Sequence, residues 1–236
     1  MALSLQTQWT LVASGLVAHA DHVLAGEECE RLMALVDQEV DGDEYAQWMA
    51  AISDPDQLRT MLVGLAVPPP ETHREILEEA WLMAVVDGER ADEELDALRR
   101  VAERLGVESM QLDFWREAWT TAQQRYADDA VAVLGWVLGG GGPVLADDQA
   151  TVDDFVHALP TTHEHRETLR AAGRVPQDRD GVDRRVHGLG KPQRRDLLRR
   201  LVEAIPGAAR PDDARDRWQA LAEAMGLSSE ELERLG

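Results

Sequence analysis

The sequence predicts an all-α fold, on three observations. Apolar residues recur at helical spacing along most of the chain, and period-two alternation with β-branched residues is almost absent. The segments between the periodic stretches carry residues that stop helices. The 236 residues leave room for one large domain or two compact ones, and 44% apolar against 29% charged residues is the balance of a chain that folds.

Taken in order, the first helix is expected over about 4–19, where Leu5, Trp9, Val12, Leu16 and His19 share a face. No Lys or Arg precedes its apolar part, and Gln6, Gln8 and Trp9 lie inside it, so it reads as a helix of the fold rather than a secretory signal. Further helices are expected over 27–39, 43–52 and 55–65, after which Pro68-Pro69-Pro70 closes a block. Then come 71–86 and 91–105, the second opening at Asp92 as N-cap with Glu93 and Glu94 in its first turn and stopping at Gly106. Helices over 108–126 and 128–138 lead to Gly139–Pro143, a helix–helix connection that lacks the Lys-Ser/Thr ending of a phosphate loop. Helices follow at 147–158, 163–172, 192–205, 211–225 and 228–235. Residues 173–190, polar and Arg/Asp-rich without a continuous apolar face, are expected to form a linker or mobile loop. No stretch reaches the roughly 18 apolar residues of a membrane span, and a cytoplasmic protein is expected.

Acidic residues number 45 and basic residues 24, a net charge of −21, which disfavours nucleic acid as a partner. The excess is uneven: residues 1–158 carry 31 acids and 9 bases, and residues 159–236 carry 14 and 15. An acidic surface of this kind keeps a protein in solution, holds a cation, or meets a basic partner surface. The single Cys29 excludes an internal disulfide and a Cys-rich zinc site, and fits a reducing compartment.

The chain also repeats itself. At an offset of 66, Ala84, Asp87, Glu94, Leu98 and Val101 fall on Ala18, Asp21, Glu28, Leu32 and Leu35. At an offset of 120, Leu201, Ala204, Asp212, Trp218 and Gly226 follow Trp81, Ala84, Asp92, Leu98 and Gly106. A fainter copy at 55 pairs Trp136 with Trp81 and Asp147 with Asp92. The unit is an apolar helix, a short acidic turn and an amphipathic helix. Two pseudo-related halves are expected, roughly 1–126 and 127–236, the second diverged and carrying the loop 173–190.

Asp87 leaves the end of one helix and Glu94 lies one turn into the next, so a tight turn brings the two carboxylates close. Asp21 and Glu28 are the matching pair. If the two hairpins pack about a pseudo-twofold axis, all four carboxylates can converge, and oxygen-rich clusters suit hard cations such as calcium or magnesium. Helix capping alone is the competing account of the same acids, and partner contact a third. In the later copies Gly207 and Ala214 stand where Asp87 and Glu94 would be, which confines any site to the first half.

The pattern Ala84-x-x-Asp87-Gly88-x5-Glu94-Leu95 resembles the hallmark of the TerB-like family, the all-helical domain of tellurite-resistance proteins. The resemblance is strong over about 71–125 and weaker over 5–70. It implies a metal-binding acidic cluster at Asp21, Glu28, Asp87 and Glu94, and a non-enzymatic module that docks onto other proteins in stress response or defence. Two alternatives stay open: a structural adaptor without metal, and a metal-dependent enzyme using the same carboxylates. The second has no accompanying nucleophile or His-rich triad in the sequence.

Other patterns carry less. Asp37-x-Glu39-x-Asp41-Gly42-Asp43 imitates the start of an EF-hand loop, but Trp48 stands where the bidentate Glu must be. His19 and His22 are three apart beside Asp21 and can approach zinc with Glu28, although packing is the simpler account of His19. His163, His165 and His187 lack a hydrolytic zinc spacing. Cys29 takes the place of Leu95 in the repeat and reads as a small core residue. Most of the seven Trp read as helix-face core, while Trp115 and Trp119, four apart, are candidates for anchoring a partner helix.

Overall fold

The computed structural model describes residues 3–21, 24, 26–40 and 42–226. Among the described residues there are twelve α-helices and no strand. The chain divides into two compact units: residues up to Thr121 together with Pro160–Thr162, and Ala122–Leu159 together with the residues from His163 on.

The first unit is organised around α1 (Leu5–Ala18), which packs against α2 (Gly26–Glu39), α4 (Pro55–Gly64), α5 (Pro70–Met83) and α6 (Asp92–Leu105). The helix opens at Ser4, whose Oγ accepts the Thr7 N–H at 3.0 Å. Trp9, Leu11, Val12, Ala13, Val17 and Ala18 are all buried, as expected of a helix that is apolar nearly all round. Gly15 permits the closest approach: a Cβ there would lie 2.7 Å from Leu58 Cδ1 on α4. Trp9 Nε1 donates to the Ala66 carbonyl at 2.8 Å, tying α1 to the segment before the proline run. Pro55 and Pro70 occupy first-turn positions of their helices, where a missing N–H costs nothing. α3 (Tyr45–Ile52) packs on α2 and α4, and α6 stops at Gly106 with φ 77°, the left-handed conformation that favours glycine.

In the second unit, the later part of α7 (Ser109–Gly139) joins α8 (Gln149–His157), α9 (His163–Ala172), α10 (Arg179–Gly188), α11 (Lys191–Ala204) and α12 (Pro211–Ala224). Val131, Leu134, Val137, Val152, Leu169, Leu198 and Leu221 are buried in its core. A polar network links α7 to α11: Tyr126 Oη donates to Asp196 Oδ2 at 2.6 Å, and Arg200 Nε donates to the same oxygen at 2.7 Å. Burial, with the Asp196 charge, pushes the Tyr126 phenol above its ordinary range, so it stays a donor.

The structure corrects four expectations. The helices expected at 108–126 and 128–138 are one helix, because Ala127 is a strong helix former and no breaker interrupts the run. Residues 173–190 are not a loop throughout: α10 is capped by Asp178, whose Oδ1 accepts the Gly181 N–H, and buries Val182 and Val186 one turn apart. The N-cap of α6 is Ala91 rather than Asp92, and α5 ends at Met83 rather than 86. The helix expected at 228–235 lies outside the described residues.

α10 makes a test of this architecture. Val182→Asp buries a carboxylate in an apolar site and should cost the second unit about 2–4 kcal/mol. Trypsin should then cut first at Arg179, Arg184 or Arg185, whereas the native chain resists cleavage there. Rapid tryptic cleavage within 179–188 of the unaltered protein would contradict a packed α10.

Candidate functional site

Both acidic turns of the first unit follow the same local plan. α1 ends at Ala18, Asp21 follows in the turn, and Glu28 lies in the first turn of α2. α5 ends at Met83, Asp87 follows in the turn, and Glu94 lies in the first turn of α6. Gly88 has φ 95°, and Asp87 Oδ1 accepts the Glu89 N–H at 2.9 Å, so the reversal is set by backbone and side chain together. The Arg31–Glu79 ion pair, 3.1 Å long and half-exposed, links α2 to α5.

Of the four predicted carboxylates, Glu94 is the one on which the other three act. Glu94 lies within electrostatic reach of Asp87 and Asp21 and within hydrogen-bonding reach of Glu28. Glu28 is 4% exposed and Glu94 5%, while Asp87 is half-buried and Asp21 exposed. Burial pushes the Glu94 carboxyl up to about 7, and the Asp87 and Asp21 charges add to the rise. Two hydrogen bonds work the other way: the Ala91 N–H, donated to Glu94 Oε2 at 2.7 Å, and the contact with Glu28. A proton held between Glu94 and Glu28 relieves the repulsion of the pair. Among the described residues, no group of three or more His, Cys, Asp or Glu side chains is placed so that it could hold a metal ion.

One functional neighbour was not anticipated. Arg90, between Asp87 and Glu94, stacks its guanidinium on the Trp81 ring at 3.8 Å from the centroid, and Arg116 approaches the same ring at 5.0 Å. Burial and Arg116 lower the Arg90 pKa to about 10, while Glu94 acts to raise it. No periodic signal reveals such a contact, since Arg90 sits in a turn. The nearest clue is its position between the two acids of the motif.

The model of the family described as tellurite resistance protein TerB matches residues 9–117. This segment is a TerB domain. Its bounds take in α1 to α6 and the start of α7, and therefore both acidic turns. No curated protein and no solved structure gives a significant match to the chain.

The remaining candidates of the TerB domain are accounted for by packing. Trp119 is 3% exposed and Trp115 packs half-buried against the same core, with the two rings 6.0 Å apart. The expectation that this pair anchors a partner is therefore corrected: Trp119 is inside. His19 Nε2 bonds the Ile52 carbonyl at 2.8 Å, and His22 lies outside the described residues. Cys29 is half-buried, as is Leu95, its counterpart in the repeat. Tyr45 Oη donates to Asp37 Oδ1 at 2.7 Å and Trp48 is buried, so the EF-hand-like run serves packing, with Asp41 outside the described residues.

Glu94 makes the stability of the TerB domain depend on pH. An acid raised in the folded state from 4.5 to about 7 holds its proton more tightly folded than unfolded. Its contribution is therefore fully present below about pH 4.5 and is lost as the pH rises through 7. Without divalent cations, denaturant unfolding should show a fall of up to about 3 kcal/mol across that window. Glu94→Gln should flatten the fall. An unchanged slope in that variant would assign the titration to another group.

Proposed function

We propose that the TerB domain is a non-enzymatic module that holds a divalent cation, calcium or magnesium, at Asp21, Glu28, Asp87 and Glu94. In this reading the chain serves as an accessory or interaction subunit in stress response or defence. The observation that carries it is the burial of Glu94 beside three other carboxylates contributed by two helical hairpins. The chemistry of the donors is what supports it: every candidate ligand is a carboxylate, the type hard cations prefer, and two of the four are withdrawn from water, although the described side chains as placed form no group of three that could hold an ion. A bound cation would supply the charge that the four acids lack and join the α1–α2 turn to the α5–α6 turn.

The interaction role is supported by charge. Residues 1–121 hold 25 acids and 8 bases, a field that favours a protein partner with a basic surface. A structural adaptor without metal is the second reading, favoured by the Ala91–Glu94 and Glu89–Asp87 hydrogen bonds, which employ both acids within their own turns. The metal-dependent enzyme draws on the same acids, and their neighbours Arg90 and the Ala91 N–H add no group that attacks a substrate.

Thermal melts separate these readings. A cation that binds the native state raises the melting temperature by mass action. Millimolar calcium or magnesium should stabilise the wild type, and Asp87→Asn should abolish that response while preserving or raising stability in chelator. If the acids act only as caps, cations do nothing specific and the same change costs about 0.5–2 kcal/mol.

A further inference from the structure

We infer that a cleft lined by α1, α4 and α6 of the TerB domain binds a small anionic amphiphile, a carboxylate on an apolar chain. The inference is independent of the acidic turns and of any cation held there.

The cleft has a volume of about 510 Å³, within the range of small-molecule sites. Its apolar lining comes from all three helices: Leu16 on α1, Leu62 and Val63 on α4, and Ala97 on α6. Leu16 and Leu62 are half-buried and Val63 is 73% exposed, so part of this apolar wall stays open to water. The fold builds the cleft before any ligand arrives. α4 and α6 each pack on α1, and Arg104 on α6 donates to the Val63 and Leu65 carbonyls at the end of α4, both at 3.2 Å. Those bonds tie the two walls together, which spares a ligand the work of ordering them.

The charge of the lining runs against the charge of the domain. Residues 1–121 hold 25 acids and 8 bases. Among the described residues no Asp or Glu lines the cleft, yet two of those eight bases do, Arg59 and Arg100. Arg59 is engaged by Asp56 at 2.6 Å, whereas Arg100 makes no ion pair among the described residues. An unpaired guanidinium beside an apolar wall complements a carboxylate head followed by a hydrocarbon chain. A neutral ligand would gain from the wall alone. The acidic field of the domain repels anions at long range, so an anion held here is held by contact.

The experiment is an amide NMR titration of the full chain with sodium octanoate, in chelator so that no divalent cation takes part. Octanol supplies the same chain without the charge, and acetate the same head without the chain. Octanoate should shift the signals of Leu16, Leu62, Ala97 and Arg100 together and saturate. Octanol and acetate should each bind at least about tenfold more weakly. Arg100→Gln should weaken octanoate about tenfold, Arg100→Lys should retain most of the affinity, and Arg59→Gln should cost less because Asp56 already holds Arg59. Arg99→Gln, at the neighbour that pairs with Asp96 and lies outside the lining, controls for net charge and should bind as wild type. Val63→Trp crowds the cleft from an exposed position and should abolish binding with the melting temperature unchanged. Octanoate that leaves the cleft signals unmoved, or that binds Arg100→Gln and Val63→Trp as it binds wild type, overturns the site. Octanol binding as tightly as octanoate also overturns it, as does an equal loss in Arg99→Gln, since Arg100 would then select nothing.

Discussion

Burying the Glu94 carboxyl beside three other acids is unfavourable in two ways at once, through lost hydration and through like-charge repulsion. The surroundings answer both. The Ala91 N–H at the start of α6 supplies a hydrogen bond and the positive end of the helix dipole. Glu28 stands close enough to share a proton, and Arg90 brings an opposite charge. Ala91 and Arg90 belong to the same turn as Glu94, but Glu28 can contribute only if the two acidic turns are held against each other, and that depends on how α1 and α5 pack. Close α1–α4 approach at Gly15, the buried run from Trp9 to Ala18, and the Arg31–Glu79 link from α2 to α5 therefore bear on the site although none of them touches it.

Trp81 joins core to site most directly. Its ring is nearly inaccessible, yet one consequence of its packing is an aromatic surface on which Arg90 rests. A substitution that shifts Trp81 would loosen the stacking that rests Arg90 on the core. Cores are packed densely enough that such displacements propagate rather than dissipate. The acid cluster is in this sense an extension of the hydrophobic core, with its electrostatics set by apolar packing one helical turn away.

The sequence made the helices legible wherever apolar spacing was clean, as in α1 and α6, and its 66-residue offset singled out Asp21, Glu28, Asp87 and Glu94, of which the first three act on the buried Glu94. Where it misled, the reasons are local. α10 presents only Val182 and Val186 among charged residues, too narrow a stripe to stand out from a linker. The continuity of α7 through Ala127 is decided by the absence of a breaker, a weak signal beside the change of pattern there. Trp115 and Trp119 share a helix face by spacing alone, and spacing does not say whether that face meets solvent or core. Arg90 was out of reach because its contact depends on a chain reversal, for which no periodicity exists.

The two units share a helical architecture but differ in how they treat acids. In the second unit several carboxylates are answered by arginines, Asp129 by Arg185 at 2.6 Å, Asp196 by Arg199 and Arg200 at 2.8 and 2.7 Å, and Asp183 by Arg179 at 2.9 Å, while the buried Asp148 accepts the Ala209 N–H at 2.7 Å. Those pairs close the local charge balance within the fold. In the TerB domain the bases are fewer, and of the two buried acids Glu28 and Glu94 it is Glu94 whose charge acts on Arg90. Charge left unbalanced inside a folded unit is either neutralised by protons, which makes stability depend on pH, or by an ion from solution. These acids of the second unit thus draw their neutrality from arginines of the chain, whereas the Glu94 carboxyl, raised by burial, draws it from a proton.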